Sequence, residues 1–366
     1  MSVLALPAPS YDHIRRLTDE TGIIEHADGL VPRRESGYCT DDNARALILM
    51  TRDSSHRMLR HFGEAYLAFI RHAHRGAGLF FSRMTYSRQW NFDEVSDDAS
   101  GRAIQALGAS ALRHPMLALR AASLDLFEQA SPFDSPHIRS MAYAGLGAAE
   151  VLRADPSNRA ALQLANRVRE RLDVPAPTNE WPWLEARLQY DNALLAEAMM
   201  ACGAAVGQQA VTERGLGLLR WLVELQTCDD GHLSVVPVTG WAPGDEGPGF
   251  DQQPIEVGGL ASAAFRAFQL THDEAWLGVI LQSAQWFAGF NDASVAVFDP
   301  AHGGGGADGL TPSGRSANCG AESTLAAVQT LRLAQICAHP EVADELDRRV
   351  FEEANVFHTQ RMEQRA

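Results

Sequence analysis

The chain has 366 residues, 46% of them hydrophobic, enough for one large core or two ordinary ones. Its 31 Lys and Arg stand against 46 Asp and Glu, a formal charge of −15, which argues against a nucleic-acid or anionic-membrane surface. Apolar runs fall short of the ~20 residues a membrane-crossing helix needs, 2–6 is too short for a secretion signal, and five scattered cysteines without a Cys-x-x-Cys pair indicate neither a disulfide framework nor a zinc knuckle. The expectation is a soluble, reduced, cytoplasmic protein.

In chain order, two kinds of helical segment alternate. Segments 44–50, 103–112, 141–152, 193–206, 257–270 and 325–338 are apolar nearly all round, as helices buried on every side would be. Between them, segments 56–75, 116–128, 158–171, 211–226, 273–290 and 340–358 are amphipathic and charged, as outer helices would be. Links after the apolar segments are short. Those before most of them are long and rich in Gly, Pro and aromatics: 76–95, 173–189, 227–253 and 291–317. The alternating patterns at 80–86 and 233–238 allow short strands there. Six inner–outer hairpins with every long loop on one side predict an all-α fold, a single (α/α)6 barrel over 1–366 with its core at about 10–358. An open helical solenoid is the alternative, and the irregular spacing of the inner-helix starts argues against it.

Polar clusters stand at those starts. They are Thr40-Asp41-Asp42-Asn43-Ala44-Arg45, then Ser96-Asp97-Asp98 with Arg102, then Ser135 to Arg139 with His137, then Trp181-Pro182-Trp183-Leu184-Glu185 followed by Gln189-Tyr190-Asp191-Asn192. The fifth is Gln252-Gln253-Pro254-Ile255-Glu256 and the last Asn318-Cys319-Gly320-Ala321-Glu322. Helix capping explains any one of them, with Thr40, Ser96 and Asn318 as N-caps and acids in the first turn suiting the helix dipole. Capping alone does not call for adjacent carboxylates with an Arg three or four residues on and aromatics nearby. In a closed ring the six starts converge on one cavity, where crowded carboxylates raise one another's pKa.

Paired carboxylates, aromatic platforms and Asn, Gln and Arg donors suit a carbohydrate. A metal site is not expected, because zinc-type ligand spacing is absent, and no cofactor is expected either. The Asp41-Asp42 run ends in Arg45 rather than in the third Asp of a magnesium-diphosphate motif. Gly303 to Gly306 lacks the Lys-Ser/Thr of a phosphate loop and reads as a flexible lip over the cavity. No Gly-x-Ser-x-Gly elbow marks a serine hydrolase.

Arg33-Arg34-Glu35-Ser36-Gly37-Tyr38-Cys39-Thr40-Asp41-Asp42-Asn43-Ala44-Arg45, Tyr190-Asp191-Asn192-Ala193, Phe250 to Glu256 and Gly320-Ala321-Glu322-Ser323-Thr324 resemble a bacterial family of six-hairpin proteins. The resemblance spans about residues 10–340. Members are often labelled glycosyltransferase because a similar domain is fused behind a nucleotide-sugar transferase, so it implies a functional association with such an enzyme. This chain itself has neither the strand–helix alternation nor the glycine loop of a nucleotide-sugar fold. The resemblance implies the (α/α)6 toroid of many glycoside hydrolases, and the adjacent aspartates look like the catalytic pair of α-1,6-mannanases, an analogy of geometry.

The expected function is cleavage of a glycosidic bond in a mannose- or glucose-type glycan. The acid and the nucleophile or base come from Asp41, Asp42, Asp97 and Asp98, with Glu256 and Glu322 next. Substrate contacts are expected from Arg34, Glu35, Tyr38, Arg45, Trp90, Arg102, His137, Trp181, Trp183, Glu185, Tyr190, Asp191, Asn192, Gln252, Gln253 and Asn318. Two alternatives remain: a sugar epimerase or isomerase, which needs a base for a carbon-bound proton and has His137, His232 and His302 to offer, and a non-catalytic glycan-binding auxiliary of a transferase.

Overall fold

The computed structural model describes residues 6–52, 57–94, 96–176, 178, 180–245 and 247–338, without the side chains of 57–60. A short helix α1 (Asp12–Leu17) precedes the inner helices α2 (Thr40–Arg52), α4 (Asp97–Arg113), α6 (Ile138–Ala154), α8 (Ala193–Ala205), α10 (Pro254–Thr271) and α12 (Ala321–Cys337). Outer helices α3 (Arg57–Ala73), α5 (Leu117–Ala130), α7 (Arg159–Leu172), α9 (Gln209–Gln226) and α11 (Ala275–Ala288) alternate with them. Each inner helix packs on the next, and α12 packs back on α2, so the ring closes, while α3, α5, α7, α9 and α11 lie outside it. This is an (α/α)6 toroid. The sixth outer segment, expected at 340–358, lies outside the described residues. Among the described residues no helix is long and apolar enough to cross a membrane.

Local chemistry explains the starts and stops. Ser96 accepts from the Ala99 amide at 3.2 Å, and Asn158 from the Ala161 amide at 3.0 Å, capping α4 and α7. Pro254 opens α10, where its missing N–H costs nothing, and Gly289 ends α11 at φ +109°. The other two expected caps are not caps. Thr40 lies inside α2 and donates to the Phe81 carbonyl at 2.6 Å, while Asn318 stands before Gly320, the residue preceding α12, and accepts from the Gly29 amide at 3.1 Å.

Helices α4 and α6 touch backbone to backbone. A Cβ on Gly108 would stand 2.1 Å from the Gly147 carbonyl oxygen, one on Gly101 2.2 Å from that of Ser140, and one on Gly147 2.4 Å from that of Ile104.

The long loops gather at the inner-helix N-termini and hold short antiparallel pairs: β1 (Ala27–Asp28) with β2 (Val31–Pro32), β3 (Tyr38–Cys39) with β6 (Arg83–Met84), β4 (His74–Gly76) with β5 (Leu79–Phe80), and β7 (Leu310–Thr311) with β8 (Gly314–Arg315). The 80–86 expectation is met by β5 and β6, whereas 233–238 forms isolated bridges rather than a strand. Nor is the glycine run a free lip. Gly304, Gly305 and Gly306 are buried against Ser10, against Leu30 and Cys319, and against the Ser323 backbone, and Arg16 donates to the Gly303 carbonyl at 2.7 Å.

Candidate functional site

The inner helices are not apolar all round; each turns a polar stripe to the ring axis. At the open face a cavity of about 370 Å³ is walled by Asp41, Asp42 and Arg45 of α2, Glu322 and Ser323 of α12, Gln253 before α10, and loop residues including Glu25, His26, Arg83, Glu94 and Asp308. Below it a cavity of about 90 Å³ runs between the helices, lined among others by Arg45, Arg52, Arg102, Tyr143, Asp191, Glu197 and Glu322. Arg45 and Glu322 belong to both. Toward the short-turn end the stripe continues as a buried ion network. There Glu150 takes Arg113 at 2.5 Å and Arg266, and the Arg266 Nε lies 3.8 Å from Glu197.

The first turn of α2 aims its two carboxylates differently. Asp42 is buried, with Oδ1 accepting from Arg45 at 2.8 Å and Oδ2 from the Cys39 thiol at 3.2 Å. Burial pushes its carboxyl up to about 7, against the pull of Arg45. Asp41 is more open, with the Arg102 Nε 3.9 Å away, and desolvation raises its carboxyl while Arg45 and Arg102 oppose the rise. Arg45 spans from Asp42 to Glu322, joining the first inner helix to the last.

Asp97 and Asp98 are engaged elsewhere. Asp97 accepts from Ser135 at 2.6 Å, and Asp98 accepts from Ser140 and from the Tyr190 hydroxyl. Tyr190 stays partly exposed, with Arg139 over its ring at 4.9 Å. Asp191 adopts φ +44°, rare for a non-glycine residue, and is fixed by Tyr143 at 2.5 Å, by Arg102 at 3.3 Å and by its own amide on Glu256. Arg102 sits 3.8 Å over the Tyr143 ring.

Glu256 is a brace. It lines neither cavity and receives the amides of Asp191 and Asn192 and the Asn192 side chain at 3.0 Å. Burial, with Asp191 nearby, lifts its carboxyl to about 7. Glu256→Ala should lower stability by about 2 kcal/mol in urea unfolding, since buried donors lose their acceptor; an unchanged midpoint would contradict the brace.

Several expected contact residues stand away from both cavities. Trp90 stacks on Phe81 and meets Phe69 and His72 edge-on, and Trp181 and Trp183 are buried against Trp221; all three pack within the loops and line neither cavity. Arg34 lies over Tyr86, Glu35 sits exposed in a 3-10 turn, and buried Tyr38 donates to Asp19 at 2.6 Å. His137 is exposed just before α6, Glu185 pairs with Arg139 at 2.8 Å, and Asn192 holds Gln189 and Arg139. Gln252 is buried between Trp286 and Asp292, and Asn318 ties down Gly29. Glu25, His26, Glu94, Asp308, Tyr143 and Glu197 enter the cavities without having been expected. The loop acids carried no helical signal, whereas Glu197, a charge inside an apolar helix, was a readable one.

No protein-family model matches the chain, and no curated protein matches it. Among solved structures it is similar to a sugar epimerase from a ruminal bacterium, at TM-score 0.65 and 12% identity over 89% of this chain and 95% of that one. It is similar to the cellobiose 2-epimerase of Bacillus thermoamylovorans at TM-score 0.64 and 11% identity over 89% and 96%. A glycoside hydrolase family 76 α-mannanase of Bacteroides thetaiotaomicron aligns at TM-score 0.60 and 11% identity over 87% and 91%. The chain is thus a six-hairpin (α/α)6 toroid, a fold it shares at low identity with sugar epimerases and with glycoside hydrolases.

Proposed function

We propose that this toroid is a carbohydrate-active enzyme that cleaves a glycosidic bond, in the manner of a glycoside hydrolase acting on a mannose- or glucose-type glycan. The observation that carries the reading is the placement of Asp41 and Asp42 on one cavity with Arg45 and Glu322. Asp42, held near neutrality by burial, is the proton donor to the leaving oxygen. Asp41, opposed by two arginines, is the nucleophile or the base for water, according to its distance from Asp42 across the sugar. Glu322 and Gln253 bind hydroxyls at the rim, and Tyr190, whose hydroxyl donates to Asp98, offers an exposed ring. The six-hairpin family that the motifs resemble supports a glycan substrate and an association with a transferase.

A panel of mannose- and glucose-type oligosaccharides tests this through the release of shorter products. If Asp42 is the acid, kcat/KM falls as pH rises through about 7, because the donor loses its proton there. A flat profile to pH 9 would take that role away from Asp42.

One observation favours a second reading. His26 lines the same open-face cavity, its Nε2 3.7 Å from Glu25, and supplies the imidazole that epimerisation next to a carbonyl calls for. His137, His232 and His302 do not line that cavity. Epimerisation of a free reducing sugar by the unaltered protein, with no glycosidic bond cleaved, would establish this reading over hydrolysis.

A further inference from the structure

Away from both cavities, two open-face loops bring a thiol, an imidazole and a carboxylate together. The candidate ligand atoms of Cys228, His232 and Asp292 all lie within 4.8 Å of one another. The backbone builds this cluster. A tight turn returns the chain from Cys228 to His232, with the Gly231 amide on the Cys228 carbonyl at 2.8 Å and the Cys228 amide on the His232 carbonyl at 2.9 Å. Gly231 supplies the φ of +90° that the turn requires. Leu233 then forms a parallel bridge to Asn291, which sets Asp292 beside His232.

The outer contacts orient the donors inward. His232 Nδ1 is 2.5 Å from Asp230 Oδ1, leaving Nε2 to face Asp292 Oδ1 at 3.1 Å. The other Asp292 oxygen accepts from the buried Gln252 amide at 2.6 Å. A carboxylate on the far nitrogen of a histidine and a donor on the far oxygen of a carboxylate are the supports that metal ligands carry. In a tetrahedral zinc site, bonds of ~2.0–2.1 Å put two such donors about 3.3 Å apart. A hydrogen-bonded ion pair would account for His232 and its two aspartates but gives the third donor, Cys228, no part.

We propose that Cys228, His232 and Asp292 bind one zinc ion that ties the loop following α9 to the loop following α11. The mixed thiolate, imidazole and carboxylate set suits zinc rather than calcium or magnesium, and water completes the tetrahedron. None of the three residues lines either cavity, so the ion is structural and independent of the hydrolytic reading.

Cobalt(II), added to chelator-treated full-length protein, is the test. A thiolate-to-cobalt charge-transfer band at one ion per chain is expected, displaced by zinc and abolished in Cys228→Ser. Asp230→Asn, at an exposed side chain that leaves folding intact, should weaken zinc affinity at least about tenfold in competition with a chromophoric chelator. The zinc-loaded protein should also melt a few degrees above the chelated one. No band, or a band that survives Cys228→Ser, would overturn the site. An affinity unchanged by Asp230→Asn would overturn the assignment of His232 Nε2 as the ligand atom.

Discussion

Asp41→Asn and Asp42→Asn should each fold with a melting temperature near that of the unaltered protein, and at least one should lose turnover on its oligosaccharide by about a hundredfold or more. The separation of stability from rate follows from the site. A carboxyl whose pKa is lifted to about 7 is roughly half protonated at neutral pH, so at Asp42 an amide of the same shape replaces a group that is already partly neutral. Arg45 keeps Glu322 as a counter-charge in that variant, and Arg102 keeps Asp191 when Asp41 is changed. Chemistry is less forgiving, because an amide can neither donate the acid proton nor attack a sugar carbon, and proton transfer alone contributes ~10²–10⁴ in rate. Thermal unfolding beside product release measures both. Asp97→Asn serves as the comparison, since Asp97 is occupied by Ser135 and lines neither cavity. Full activity in both α2 variants would move the acid and base to Glu322 and the loop acids Glu25, Glu94 and Asp308.

A large loss of stability is expected from a single methyl group. Gly108→Ala gains up to about 1 kcal/mol of helix propensity, yet its Cβ would lie 2.1 Å from the Gly147 carbonyl oxygen, so α4 and α6 would have to part. Backbone cannot swing aside as a side chain does, and overpacking of this kind costs about 1–3 kcal/mol or more. The top of that range, less the gain in propensity, leaves an expected net destabilisation of about 2 kcal/mol. Gly217→Ala, in α9 with nothing within 4 Å of the added atom, should move the other way, by a gain of up to about 1 kcal/mol. Equal responses in urea titrations would refute the close crossing.

Helix order and type were legible because burial on two sides and burial on one leave different patterns. The expected inner-helix segments fall within or beside α2, α4, α6, α8, α10 and α12, and 116–128 and 158–171 lie within two residues of α5 and α7. The convergence on one axis was also legible: Asp42 and Glu322, named from opposite ends of the chain, meet on Arg45. What sequence withheld is direction. A carboxylate in a first turn looks the same whether it faces the cavity, as Asp41 does, accepts from a neighbouring serine, as Asp97 does, or braces another helix start, as Glu256 does. Trp181 and Trp183 misled for a related reason, since a loop that must stay ordered buries aromatics of its own. The Cys228, His232 and Asp292 cluster depends on a bridge between loops some 60 residues apart, which no local spacing announces.

The contact between Arg45 and Glu322 joins residues 277 positions apart. It closes the seam where the last inner helix meets the first, and one wall of each cavity belongs to that last helix. A growing chain therefore carries Asp41 and Asp42, with Arg45 already beside them, long before Glu322 exists to complete the wall, and during synthesis the two carboxylates stand at the open edge of an unfinished arc. On the hydrolytic reading, the cavity gains its last wall only when α12 docks. Contacts of such long sequence separation are slow to form, so the onset of activity in a refolding experiment would report closure of the seam rather than the earlier appearance of helices.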